Sequence, residues 1–174
     1  METVGIYQTV KKLLSPVSFV TQPFTTLTLS KIVKFYEKKE FLLLHNLIKN
    51  LTIKLVIISI TLILLLFMIL KPFLLFQNIQ FNVSLMISFI LLSVYYILPT
   101  MIWWGRNFII MHNPMLPVYS NLLLSINSIL IPVVLFQLNY FDALTTISMA
   151  ILLAYIPSWL FAPIVYLKFM KKRG

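Results

Sequence analysis

Four stretches of this chain, 53–70, 83–104, 118–138 and 143–167, each run for at least eighteen residues with no more than one charge. About 18 to 20 apolar residues are needed to carry a helix across the hydrocarbon of a bilayer. Backbone N–H and C=O groups find no water there, so each stretch must satisfy its own hydrogen bonds, and a helix does so. The predicted fold class is therefore all-α, a polytopic integral membrane protein with a four-transmembrane-helix bundle. Composition agrees: 60% of the 174 residues are hydrophobic, 10% are charged and the mean hydropathy is +0.98. Soluble domains carry about a quarter charged residues, so this chain is built for lipid.

The connections between the stretches are short, KPFLLFQNIQFN, GRNFIIMHNPMLP and NYFD. Neighbouring spans must then run antiparallel, as an up-and-down bundle. Arg106 and His112 belong to the second connection, and His112 is expected in a turn that leads back into the membrane. The fourteen Lys and Arg flank the spans: eight lie between Lys11 and Lys54, Arg106 lies in the second connection, and Lys168, Lys171, Lys172 and Arg173 close the chain. Only Lys71 falls in the first or third connection. The excess of Lys and Arg on cytoplasmic flanks predicts an N-in, C-in chain, with the cell membrane as its expected location.

Three units follow. Residues 1–52 form a basic cytoplasmic or interfacial N-terminal segment, 53–168 the bundle, and 169–174 a basic cytoplasmic tail. The segment has no uninterrupted apolar region of the kind a cleavable signal peptide needs, because Lys11, Lys12, Pro16 and Pro23 break it. Within it, residues 30–50 place Ile32, Val33, Tyr36, Leu43, Leu44, Leu47 and Ile48 near one helical face and Lys34, Lys38, Lys39 and Lys49 largely elsewhere. Such an amphipathic basic helix either lies on the inner leaflet or binds a protein, or it continues into the first span.

The same residues narrow the function. Without cysteine there is no thiolate metal site or cysteine nucleophile, and three glycines do not make a glycine-rich phosphate loop. The four carboxylates, Glu2, Glu37, Glu40 and Asp142, offer no pair that converges on one membrane face. His45 and His112 lack the spacing of a zinc site. No acid or base lies deep in any of the four spans, so an ion-coupled pump lacks its main component. No catalytic residue, cofactor or metal is expected. The net charge of +10 is explained by membrane flanks, without nucleic acid. The sequons at Asn50 and Asn82 are chance matches to a common pattern.

Two features remain. In the fourth span Thr146, Ala150, Ala154, Ser158 and Ala162 recur every four residues, a small-residue groove that lets another helix come close. The groove serves either this chain's own spans or a partner seam. In the third span Asn121, Ser125 and Ser128 share a face and Asn127 lies near mid-membrane. They act as interhelical glue or line a polar path, with Ser88, Ser93, Tyr95 and Tyr96 as the other wall. The leading expectation is a non-enzymatic accessory protein, a subunit, assembly factor or immunity-type protector, that contacts the lipid bilayer and a membrane-protein partner or another copy of itself. The second is a small oligomeric channel or uncoupled transporter for a polar solute.

Overall fold

The computed structural model describes residues 2–20, 22–105, 115–138 and 141–171. Arg106, His112, Lys172 and Arg173 lie outside the described residues. Within them the chain forms α1 (Glu2–Leu14), α2 (Pro16–Phe19), α3 (Gln22–Glu37), α4 (Phe41–Phe76), α5 (Val83–Met101), α6 (Leu116–Leu138) and α7 (Ala143–Lys171). Four of these helices are long and apolar enough to cross a membrane: Phe41–Phe76, Val83–Met101, Leu116–Leu138 and Ala143–Lys168. The fold is all-α with a membrane-helix bundle.

The first span is longer than the sequence pattern predicts. Its 36 residues correspond to about 54 Å of helix, against about 30 Å of hydrocarbon. The surplus is at its start. Trp103, just beyond α5, donates from Nε1 to Thr52 Oγ1 at 3.0 Å, which sets the end of α5 level with Thr52 of α4. Residues 41–52 of α4 continue past that level, and α3 packs back along them. The reversal between α3 and α4 is a Schellman turn: the Glu40 N–H bonds to Phe35 O at 2.9 Å and the Lys39 N–H to Tyr36 O at 3.2 Å, with Lys39 in the left-handed region at φ 59. The other end of α4 closes in the same way, with Ile79 on Leu74 O, Asn78 on Leu75 O and Asn78 at φ 56.

The helices α1, α2 and α3 of the N-terminal segment form a broken arm that runs antiparallel to α4. At one end, Gly5 and Ile6 line a pocket with Gln77, Asn78, Ile79, Gln80 and Asn82. Further along, Tyr7, Val10, Leu14 and Val17 share a core with Ile63, Leu66, Leu70 and Leu74 of α4 and Leu85, Phe89, Leu92 and Tyr96 of α5. At the other end, Ile32 joins a second core with Leu44, Ile48, Leu55, Trp103, Trp104 and Tyr166. We call the first the far end and the second the hairpin end. The start of α1 is thus at the far end, and the end of α7 is at the hairpin end. Between them α1 packs against α4, α5 and α7, and α2 against α4 and α5.

Pro16 and Pro23 explain why this arm is broken. Proline removes a donor, and the carbonyls it frees must find other partners inside an apolar layer. Hydroxyls supply them. Tyr96 Oη donates to Lys11 O at 3.3 Å, Ser15 Oγ to Lys12 O at 2.8 Å and Ser18 Oγ to Ser15 O at 2.7 Å.

At the far end, side-chain caps fix where two spans begin. Asn82 Oδ1 accepts from the Leu85 N–H at 2.9 Å, and Asp142 Oδ2 accepts from Leu144 and Thr145 N–H at 3.0 and 3.2 Å. Burial pushes the Asp142 carboxyl up, but hydrogen bonds from the Ser84 and Thr145 side chains and from the Thr145 and Leu144 N–H groups outweigh it and hold the group below its ordinary range.

Two predictions follow from this layout. Because the chain has no cysteine, single cysteines report topology directly. Val4→Cys and Phe76→Cys should react with an impermeant maleimide from one side of sealed vesicles and Lys39→Cys from the other; Val4 and Lys39 labelled from the same side would refute the inserted arm. Asp142→Ala should destabilise the protein by about 1 kcal/mol, read as a lower Tm in detergent, with Asp142→Asn retaining most of the cap. A lowered carboxyl contributes stability above its unfolded value and loses it as pH falls through the folded one. The margin of wild type over Asp142→Asn should therefore shrink on the acid side of the ordinary carboxylate range.

Candidate functional site

The small-residue ladder is used internally. Thr146, Ala150 and Ala154 are 3%, 2% and 2% exposed, and α7 packs against α1, α5 and α6. Attraction between helices in lipid comes from close contact rather than from expelled water, and small side chains let backbones approach. Ser158 is half-buried, and its carbonyl accepts a 3.5 Å bond from Ser120 Oγ of α6. The Ala162 side chain lies outside the described residues. Of the two readings of the ladder, packing within the chain is what this geometry supports: Ala150 and Ala154 offer no surface to a partner.

The polar residues of α6 are placed differently. Among the described residues α6 touches only α7, and none of its residues is buried. Asn121, Ser125 and Ser128 are exposed, and Asn127 is half-buried. The two serines turn back on their own helix, Ser125 Oγ to Asn121 O at 3.0 Å and Ser128 Oγ to Ser125 O at 2.8 Å. Hydroxyls can be satisfied locally in this way, but an asparagine amide carries two donors and an acceptor that a helix does not absorb.

The other expected wall is not brought to them. Ser88 and Ser93 are 0% and 7% exposed in α5. Ser93 Oγ bonds Phe89 O, and Ser88 Oγ has no partner among the described residues, like Ser59 Oγ and Tyr7 Oη. Tyr96 caps α1. Tyr95 packs edge-on to Tyr155 at 5.1 Å between ring centroids and against Trp159 at 5.4 Å, an aromatic clamp between α5 and α7. Among the described residues the two expected walls of a polar path are not brought together, since α6 does not touch α5.

The hairpin end is the basic end. Lys31, Lys34, Lys38, Lys39, Lys49, Lys54 and Lys168 all lie there and are exposed, whereas Lys71 lies toward the far end. His45 belongs to this end as a structural residue: its Nδ1 is 3.0 Å from Tyr166 Oη, and the rings stack 9° from parallel. That contact ties the base of α4 to the end of α7, and Trp104 against Tyr166 at 4.9 Å completes it. Among the described residues, no three His, Asp or Glu side chains are grouped to hold a metal ion.

Sequence reasoning missed α1. Its buried stripe of Tyr7, Val10, Leu14 and Val17 has helical spacing, a signal present in the sequence but masked by the adjacent Lys11 and Lys12.

Ala150→Leu with Ala154→Leu tests the ladder. Overfilling a packed site costs about 1–3 kcal/mol per side chain, so the double variant should lose several degrees of Tm as an isolated protein; an unchanged Tm would mean that the face is free. No protein-family model matches the chain, and neither a curated protein nor a solved structure is significantly similar to it, so function rests on this geometry alone.

Proposed function

We propose that this chain is a non-enzymatic integral membrane accessory protein, a subunit, assembly factor or immunity-type protector that packs against a larger membrane complex. The observation that carries the reading is α6. A membrane-length helix held by one neighbour, with no buried residue and the Asn121 amide on its open face, leaves polar groups in hydrocarbon that another membrane helix can bond. The partner surface thus shifts from the filled ladder of α7 to α6. The α3–α4 hairpin, with its exposed lysines, is the second contact. Its charge favours the hairpin end as the cytoplasmic face of a cell membrane, with the start of α1 outside.

The exposed position of the α6 polar stripe gives weight to one other reading. Several copies arranged with α6 inward would make a small channel or uncoupled transporter for a polar solute, lined by Asn121, Ser125, Asn127 and Ser128.

The experiment is mild-detergent purification of a tagged copy from its own membrane, followed by sizing and identification of what co-elutes. Stoichiometric foreign subunits are the expected result. Asn121→Leu with Ser125→Leu should release them while leaving the Tm of the isolated chain within about 1 kcal/mol of stability, because exposed positions carry little of the fold. A homo-oligomer that conducts solute in liposomes and stops with Asn127→Leu would put the channel reading first.

A further inference from the structure

The first connection and the start of α1 enclose a cleft of about 630 Å³, within the usual range of small-molecule sites. Its floor and its rim differ in chemistry. Ile6 of α1 and Ile79 of the connection are half-buried and pack against the core that α1 shares with α4 and α5, so the two sides of the cleft rest on one support. Above them stand four exposed carboxamides, Gln77, Asn78, Gln80 and Asn82. Asn78 is fixed in the left-handed region by the turn that closes α4, and Asn82 by its Oδ1, which caps α5. Among the described residues the side chains of Gln77, Asn78 and Gln80 bond to no other protein group.

Gly5 lines the same cleft, and nothing in the fold requires glycine there. Its φ is not positive, and a Cβ added to it would meet no heavy atom within 4 Å. Glycine is disfavoured within a helix, so α1 carries a weak helix former at a point where a side chain would stand in open space at the cleft. A local rule broken without a structural gain is what a functional site produces. The cleft also lies at a membrane surface. Residues 77–82 join two membrane-length helices, and Phe76, Phe81 and Val83 beside it are exposed apolar side chains, which sets its mouth at the level of lipid headgroups. None of the lining residues is charged, and Lys71 is not among them. The Asp142 carboxylate, which reaches Ser84 two residues beyond Asn82, is already bonded by Ser84 and Thr145. An anionic or cationic ligand therefore finds no counter-charge in the cleft.

We propose that this cleft binds a neutral sugar, carried as the headgroup of a lipid or free in solution. A carboxamide offers two donors and an acceptor, and a sugar hydroxyl both donates and accepts, so four amides in one cleft match a ring of hydroxyls with no charge to desolvate. The C–H face of such a ring packs on the Ile6 and Ile79 floor. Gly5 lets it approach the α1 backbone. The site is separate from the accessory reading and does not depend on which side of the membrane the far end faces.

The test uses the full chain in phosphatidylcholine nanodiscs, prepared without sugar-based detergents, with a donor dye on Phe141→Cys. Phe141 is exposed at the far end, outside the cleft, and the chain has no other cysteine. Energy transfer to tail-labelled galactosyl diacylglycerol, compared with tail-labelled phosphatidylcholine, should report a preference of about tenfold for the galactolipid, an increment of about 1.4 kcal/mol. Gly5→Trp, which fills the mouth, and Gln77→Leu with Gln80→Leu, which removes two of the four amides, should each abolish that preference, while Gly5→Ala keeps most of it. If the glutamine pair folds poorly, Gly5→Trp decides alone, because no atom stands where its Cβ goes. Equal transfer to the two lipids, or a preference that survives Gly5→Trp, overturns the site. So does a larger preference for tail-labelled phosphatidylglycerol, since an anion is then the ligand, or displacement by N-acetylglycinamide and not by methyl galactoside, since a peptide is then the occupant. Displacement by methyl galactoside upholds the site with free sugar as a ligand; a preference that methyl galactoside leaves intact upholds it for lipid-borne sugar. A chain that co-purifies with foreign subunits yet shows no preference for the galactolipid refutes this site and leaves the accessory reading standing.

Discussion

Inside hydrocarbon, a helix broken by proline persists only if other groups take up the carbonyls it frees. The rest of this structure depends on that constraint being met in the N-terminal arm. Tyr96 reaches from α5 to the Lys11 carbonyl, and Ser15 and Ser18 fold back on the carbonyls of Lys12 and Ser15. With these met, Tyr7, Val10, Leu14 and Val17 can stay in the slot between α4 and α5. Without the arm, the faces of Leu66, Leu70 and Phe89 that meet it would lose close-packed neighbours, which are the main source of helix attraction in lipid. The hairpin end depends on the same arm, because α3 is its continuation and places Ile32 against Leu44 and Ile48.

What was legible in the sequence follows from which forces are local. The four spans were legible because length and apolarity alone decide them; their limits moved only where the helix outruns the bilayer, as in residues 41–52 of α4, or stops short of the tryptophans, as α5 does at Met101. The helix α1 was missed, because Lys11 and Lys12 lower the apolarity of its stripe and its burial comes from packing against α4, α5 and α7, a tertiary fact. The ladder of Thr146, Ala150 and Ala154 announced close packing in its spacing, yet spacing does not say which helix comes close. The serines and asparagines of α6 were found as a stripe, but the direction it faces is decided by α6 having one neighbour.

These placements reverse the roles that composition suggests. Small residues mark where helices meet, and here Thr146, Ala150 and Ala154 already meet neighbours within the chain, since α7 packs against α1, α5 and α6. The Asn121 amide on α6 is polar and faces outward, and lipid tails do not satisfy an amide.

An apolar face can stay against lipid indefinitely at no loss, because acyl chains and leucines are equivalent neighbours. Polar groups in the same position lose the hydrogen bonds they had in water, and only another polar membrane surface restores them. Specific recognition inside a bilayer therefore belongs to whatever polar groups a chain leaves unpaired. In this chain the internal contacts are mostly apolar, small or locally capped, the buried hydroxyls of Tyr7, Ser59 and Ser88 being unpaired among the described residues, and the outward groups include an amide. The accessory reading proposed for this chain therefore turns on α6, where the exposed Asn121 amide is left for another polar membrane surface to bond.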